Sequence, residues 1–252
     1  MTHVRGKLTA TELADLIDAG EVDTILVVFP DLQGRFMGKR VTGHFWLDHV
    51  STPEGIEACN YLLAVDVDMT PLPGYRFANW ELGYGDFRAV ADFDTLRLVP
   101  WIDKTALVIC DVVDVDSGEA ISVSPRQILR AQVERARAQG FTMMMGSELE
   151  FFLFRETYEE AAAKGYTSLT PHAHYIEDYH ILQTTKDEYL IRKIRNGMDG
   201  AGVPIEFSKG EAGLGQHEIN LHFSDALEMA DRNAIYKNGA KEIAALNGRA
   251  IT

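Results

Sequence analysis

Basic residues are scarce in this 252-residue chain: 24 lysines and arginines face 38 aspartates and glutamates, the formal charge is -14, and no block of five Lys or Arg occurs. That balance repels phosphate backbones and anionic lipid, which argues against nucleic acid or a membrane surface as a partner. Cysteine is nearly absent. Cys59 and Cys110 cannot build a disulfide framework and have no metal or redox motif beside them, as expected for a reducing cytoplasm. No apolar stretch approaches the roughly 18 residues of a membrane span, and the opening MTHVRGKLTA lacks the apolar core of a signal peptide. Repeats are missing, as is the glycine order of a Walker or Rossmann loop. Ser122, Ser124 and Cys110 have no adjacent base, which argues against triad-type hydrolysis. The expectation left standing is a soluble cytoplasmic globular protein, 46% hydrophobic and 10% aromatic, with material for one large or two ordinary domains.

The hydrophobic pattern changes period repeatedly, as in an α+β protein. Thr9 followed by Glu12 is a capping box, with Leu13, Leu16 and Ile17 at helical spacing and Gly20 as a stop. Thr24 to Phe29 reads as a strand, Pro30 to Gly34 as a turn, and Arg35 to Val41 as the returning hairpin strand. Between Tyr61 and Trp101, Gly, Pro and Asp separate short apolar stretches, which suggests strands joined by functional loops. Trp101 to Lys104 is a candidate domain seam, since Ala106 to Val115 is a fresh strand. Ser124 and Pro125 then open a helix to Gln139, with Ile128, Leu129 and Val133 as its expected buried stripe. A strand over 143–154, a short helix over 156–164, a helix over 185–198 and a strand over 216–223 follow. Asp225 and Glu228 cap a long helix to Leu246.

Two acid-rich segments sit in these strand-like parts: Glu148-Leu149-Glu150, and Glu211 to Glu218. Residues two apart in a strand share a face, at roughly 6.5 to 7 Å, so Glu148 and Glu150 project together while Leu149 and Phe151 turn to a core. Gly213 and Gly215 let the chain turn between Glu211 and Glu218. Buried or crowded carboxylates cost several kcal/mol unless a cation meets them, and oxygen donors suit Mg²⁺ or Mn²⁺ rather than a thiolate zinc site. The alternative is a set of solvated glutamates at strand edges. His172, His174 and His180 also offer metal ligands, although their aromatic, polar surroundings read more as a loop. Arg192, Lys193 and Arg195 read as a solvated helix face.

Gly146-Ser-Glu-Leu-Glu-Phe-Phe-Leu-Phe154, followed some sixty residues later by Glu211-x-x-x-Gly-Gln-His-Glu218, resembles the glutamine synthetase family in residue type, order and separation. The likeness runs over nearly the whole chain, taking in Asp31-Leu-Gln-Gly-Arg35 and Gly83-Tyr-Gly-Asp86. It implies a small β-grasp-like domain over 1–103 and the first part of a catalytic antiparallel sheet with helices over 104–252. It further implies that Glu148 is a ligand of the metal beside ATP, and that Glu150, Glu211 and Glu218 are ligands of the metal beside glutamate. Phe223 matches the family's adenine-stacking aromatic, although strand parity places it opposite Glu218 unless a bulge intervenes. The implied reaction joins ammonia or a small amine to the γ-carboxylate of glutamate at the expense of ATP, in a ring-like homo-oligomer.

The sequence also departs from that family. Ser208-Lys209-Gly210 stands where the family has two histidines, so Lys209 is the candidate nucleotide contact. The segment that builds an ammonium pocket is missing, leaving Asp66 with Asp68, or Asp86, as candidates to shape a pocket for a larger amine, as in the γ-glutamylamide-forming branch. The family's later histidine, arginine and glutamate segments have no counterpart here, which implies that the chain corresponds to about the first half of such an enzyme and does not turn over by itself. A non-catalytic assembly or sensing role is the alternative.

Overall fold

In the computed structural model, which describes residues 4–252, Thr9 caps helix α1 (Ala10–Asp18) in the expected reciprocal way: its Oγ1 accepts from the Glu12 amide at 3.2 Å, and the Glu12 carboxylate accepts from the Thr9 amide at 2.7 Å. Residues 1–3, which open the segment read as lacking a signal core, lie outside the described residues. The chain forms two compact units, one up to Met143 and one from Met144 to Thr252.

In the first unit, β1 (Thr24–Pro30) and β2 (Phe36–Thr42) form the expected antiparallel hairpin. Its turn is organised by Asp31, whose buried carboxylate accepts from the amides of Gln33 and Arg35 and pairs with Arg35 Nε at 2.7 Å. Arg35 then donates to the carbonyls of Asp66 and Val67, tying the turn to a distant loop. The remaining strands are β3 (Ile56–Cys59), β4 (Asp86–Ala91), β5 (Arg97–Leu98) and β6 (Thr105–Asp114). The sheet order is β2-β1-β6-β4-β3, with β5 also on β6. The strand expected to open a second domain is therefore central to this sheet: β6 runs parallel to β1, and residues 106–110 are all buried. A near-continuous apolar run suits a strand covered on both faces. The expected division after residue 103 falls inside this first unit.

Helix α2 (Pro125–Ala138) starts with proline at its first position, but its buried side differs from the expected stripe. Val133 is buried, Ile128 is half exposed, and Arg126 is buried instead. The guanidinium of Arg126 meets Asp92 at 2.7 Å and Asp111 at 2.5 Å, and Arg130 meets the same two carboxylates at 3.1 and 2.8 Å. Burial works to raise the Asp92 pKa, and the arginines outweigh it and hold the carboxyl below its ordinary value. Two aspartates facing one helix recruit a cation where apolar spacing alone suggests isoleucine.

The second unit is a four-stranded antiparallel sheet, β7 (Met144–Phe154), β8 (Ile205–Gly210), β9 (Gln216–Asp225) and β10 (Ala250–Ile251), in the order β10-β7-β9-β8. Helices α3 (Tyr158–Ala163), α4 (Glu188–Gly200) and α5 (Ala226–Leu246), with a one-turn helix over Ile181–Thr184, complete it. Phe151 and Leu153 of β7 and Ile219 and Leu221 of β9 are buried, as are Ile194 and Met198 of α4 and Tyr236 of α5. The Tyr236 hydroxyl donates to the Leu149 carbonyl at 3.2 Å. As expected, the Asp225 carboxylate caps α5 by accepting from the Glu228 amide. Strand β10 pairs with β7 only at Phe154 and Leu153.

Candidate functional site

Strands β8, β9 and β7 lie side by side, and their register sets Lys209 against Glu218 and Glu218 against Glu150. Paired residues on adjacent strands point to the same face about 5 Å apart, so one row across the sheet reads cation, acid, acid. Glu211 joins the row from the turn that links β8 to β9. Side-chain oxygens of Glu150, Glu211 and Glu218 lie within 4.8 Å of one another. Glu150 is exposed, Glu211 partly exposed and Glu218 buried, so the group is open on the Glu150 side.

The turn is fixed rather than loose. The Glu211 amide donates to the Gln216 carbonyl at 2.9 Å, and the Gly213 amide donates to Gln216 Oε1 at 2.9 Å. Gln216 Nε2 in turn donates to the Glu150 carboxylate, which links the turn to β7. Gly215 has φ +74°, and a Cβ there would come within 2.8 Å of the Leu153 carbonyl oxygen, so only glycine lets the turn approach β7 this closely.

Lys209 lies among the acids, contacting Glu211 and reaching Glu218 Oε2 at 3.1 Å, with its Nζ 4.7 Å from the centroid of the Tyr179 ring. Burial alone pulls an ammonium pKa down; the two carboxylates outweigh it and hold Lys209 above the ordinary lysine value. Its hydrogen bond, with one shared with Glu218, holds Glu211 below the usual carboxylate range. Three carboxylates and one ammonium leave a local charge of two negatives, the charge a divalent cation neutralises.

The other anticipated residues are placed differently. Glu148 is exposed on the same strand face as Glu150, but its partner across the sheet is Asn220 rather than an acid, and it is not part of the three-glutamate group. Phe223 is 55% exposed, with its ring 4.8 Å from that of His222. The register between β7 and β9 shifts between Met145 and Ser147, so His222 and Phe223 both oppose Gly146. This is the bulge that the parity argument required. Asp66 and Asp86 belong to the first unit. Asp66 Oδ1 accepts from the amides of Asp68 and Thr70, both at 2.9 Å, and so shapes its own loop; Asp86 is exposed opposite Cys59 at the start of β4. Arg195, expected on a solvated face, pairs with Glu188 and donates to Ser208 Oγ at 2.8 Å, beside a cleft of about 460 Å³ that Lys209 also lines.

Of a second group, only His172 drew attention in the sequence. Glu177, Asp187 and His217, each 1% exposed, gather beneath β9 with His172 beside them. His217 Nε2 is 3.0 Å from Asp187 Oδ2 and 3.3 Å from Glu177 Oε2, and His172 Nδ1 contacts Asp187 Oδ1. Burial pushes the Glu177 carboxyl up; for Asp187 the two imidazoles override burial and hold it down at about 2. Glu177, Asp187 and His217 stand ten to forty positions apart, and only the alternation that sends His217 inward next to an outward Glu218 hints at them.

The profile of the glutamine synthetase catalytic domain matches residues 122–252. The chain belongs to the glutamine synthetase family. It is 48% identical over 245 residues to the gamma-glutamylethanolamide synthetase GlnA4 of Streptomyces coelicolor, covering 97% of this chain and 53% of that protein. It is 34% identical over 241 residues to the glutamate–isopropylamine ligase of a Pseudomonas species, covering 96% of this chain and 52% of the relative. Among solved structures, the GmaS/ADP complex superposes with a TM-score of 0.75 at 25% identity, covering 96% of this chain and 51% of that one. The chain spans about half the length of the curated relatives it matches. Glutamine synthetase-family membership thus agrees with the resemblance carried by the two acid-rich motifs.

Proposed function

We propose that this chain supplies the glutamate-rich part of the active site of an ATP-dependent ligase that joins ammonia or a small amine to the γ-carboxylate of glutamate. The observation that carries the reading is the convergence of Glu150, Glu211 and Glu218 from two strands and a pinned turn. Their hard oxygen donors and net negative charge fit Mg²⁺ or Mn²⁺. A bound divalent ion would supply charge neutralisation between the substrate carboxylate and the polyphosphate. In the reaction a glutamate γ-carboxylate oxygen attacks the γ-phosphorus of ATP, the bond to ADP breaks, and γ-glutamyl phosphate forms. The amine nitrogen then attacks the acyl carbon, gives up a proton and expels phosphate.

The protein's own groups divide the remaining work. Gln216 orients Glu150 by donating to its carboxylate, and the buried side of the row keeps Glu218 from reorienting toward water. Lys209 offsets part of the acid charge and faces the cleft where a phosphate oxygen can accept from it. Phe223 offers an exposed ring to an adenine face, and Glu148 extends the acidic face toward the nucleotide. In the first unit, which we take to be the β-grasp-like domain, we assign Asp66 and Asp86 to amine selection. Relatives named for ethanolamide and isopropylamine products support an amine larger than ammonia. We extend the proposal to a ring-like homo-oligomer for the full-length protein on the strength of the family resemblance.

A Mn²⁺ titration of the wild-type chain against Glu150→Ala tests the site. Removal of one carboxylate is expected to weaken binding by at least tenfold, about 1.4 kcal/mol. Equal affinity in the two proteins would remove Glu150 from the metal site and the central support for the ligase reading.

A further inference from the structure

The buried group under β9 has chemistry that the glutamate row does not explain. Glu177 lies in the loop before α4, Asp187 at the residue preceding α4, and His217 on β9, so three separate segments converge. Their approach is enforced by backbone packing: Gly210 carries no side chain, and a Cβ there would sit 2.3 Å from the Glu177 carbonyl oxygen. Glu177 Oε2 is buried and accepts no hydrogen bond. His217 Nε2 is only 3.3 Å away, but its hydrogen bond is with Asp187 Oδ2. A buried carboxylate oxygen with no donor costs several kcal/mol unless a proton or a cation meets it.

We infer that Glu177, Asp187 and His217, with His172 at the rim, form a second cation site that takes one transition-type divalent ion such as Zn²⁺. Donor atoms 3.0 and 3.3 Å apart match the edges of a coordination shell with bonds of about 2.0 to 2.2 Å. Two carboxylates and neutral imidazoles carry two negative charges, which one such ion cancels. Imidazole in the set selects against Mg²⁺ and for a borderline metal. The ion would tie the 172–187 segment and the start of α4 to β9 on the face opposite the glutamate row, a structural role independent of the proposed ligase chemistry. The unpartnered Glu177 oxygen is then a ligand without its metal.

The test uses the 252-residue chain carrying Glu150→Gln and Glu211→Gln, so that the open acidic group contributes little. After chelation and exchange into Zn²⁺, metal analysis is expected to find one ion per chain. Co²⁺ in its place is expected to give visible absorption of an imidazole–carboxylate site, and Zn²⁺ to raise the thermal midpoint. Adding Glu177→Gln or His217→Asn is expected to weaken retention at least tenfold and abolish the thermal shift. Failure of the starting protein to hold zinc overturns the inference, as does unchanged zinc content in both added variants.

Discussion

The Lys209 ammonium is engaged by Glu211 and Glu218, two of the carboxylates proposed to hold a divalent ion. A fixed positive charge beside a cation site opposes the incoming ion. Lys209→Met is therefore expected to tighten Mn²⁺ binding, by about tenfold or about 1.4 kcal/mol, in the titration that tests Glu150. Weaker or unchanged binding would show that Lys209 does not compete. At this scale the sequence was most legible where chemistry and spacing coincide. Glu150, Glu211 and Glu218 were readable because two of them oppose each other on paired strands and the third lies in the connecting turn. Glu148 shares the strand face of Glu150, as alternation requires, and stands opposite Asn220. Glu177 and Asp187 escaped notice because no local pattern links residues that meet only through the packing of a loop on Gly210.

At the scale of single elements, the turn between β8 and β9 depends on a left-handed residue pressed against β7. Gly215→Ala is expected to destabilise the second unit by about 1 to 3 kcal/mol, read as a lower urea midpoint. Because the turn carries Glu211 and Gln216, Mn²⁺ affinity should fall with it. The entry to α3 gives a pH-dependent case. Glu156 receives Lys164 Nζ at 2.5 Å and, despite some burial, is held down at about 2 by that ion pair and by the Thr170 amide. Its folded pKa is below the unfolded value, so the stabilisation is present above about pH 4.5 and is lost as the pH falls toward 2. Denaturation of wild type and Glu156→Gln at pH 7 and pH 3 should show the difference between them shrinking at the lower pH. The hairpin, the capped helices α1 and α5, and strands β7 and β9 were all visible in periodicity and capping residues. Strand β8 was not, because the apolar–polar alternation of Ile205 to Ser208 lasts only four residues before Lys209 and Gly210 break it. The buried side of α2 was misread because Arg126 answers Asp92 and Asp111, which lie on other elements.

For the whole molecule, the α+β class was readable in the changes of hydrophobic period; the change of pattern near Trp101 marks the turn into β6, which returns to the first sheet beside β1. The glutamine synthetase relatives are about twice as long as this chain. The 252 residues alone are accordingly expected to bind Mn²⁺ through the glutamate row without releasing phosphate from ATP when glutamate and an amine are added. Phosphate release that depends on both substrates would show that the chain is sufficient. The seating of Gly210 has its own consequence. With the Glu177 carbonyl oxygen 2.3 Å from where a Cβ would stand, a single missing methyl sets how near the carboxylates of one segment come to the imidazole of another, so enlarging residue 210 would respace the whole buried polar group without touching any of its members.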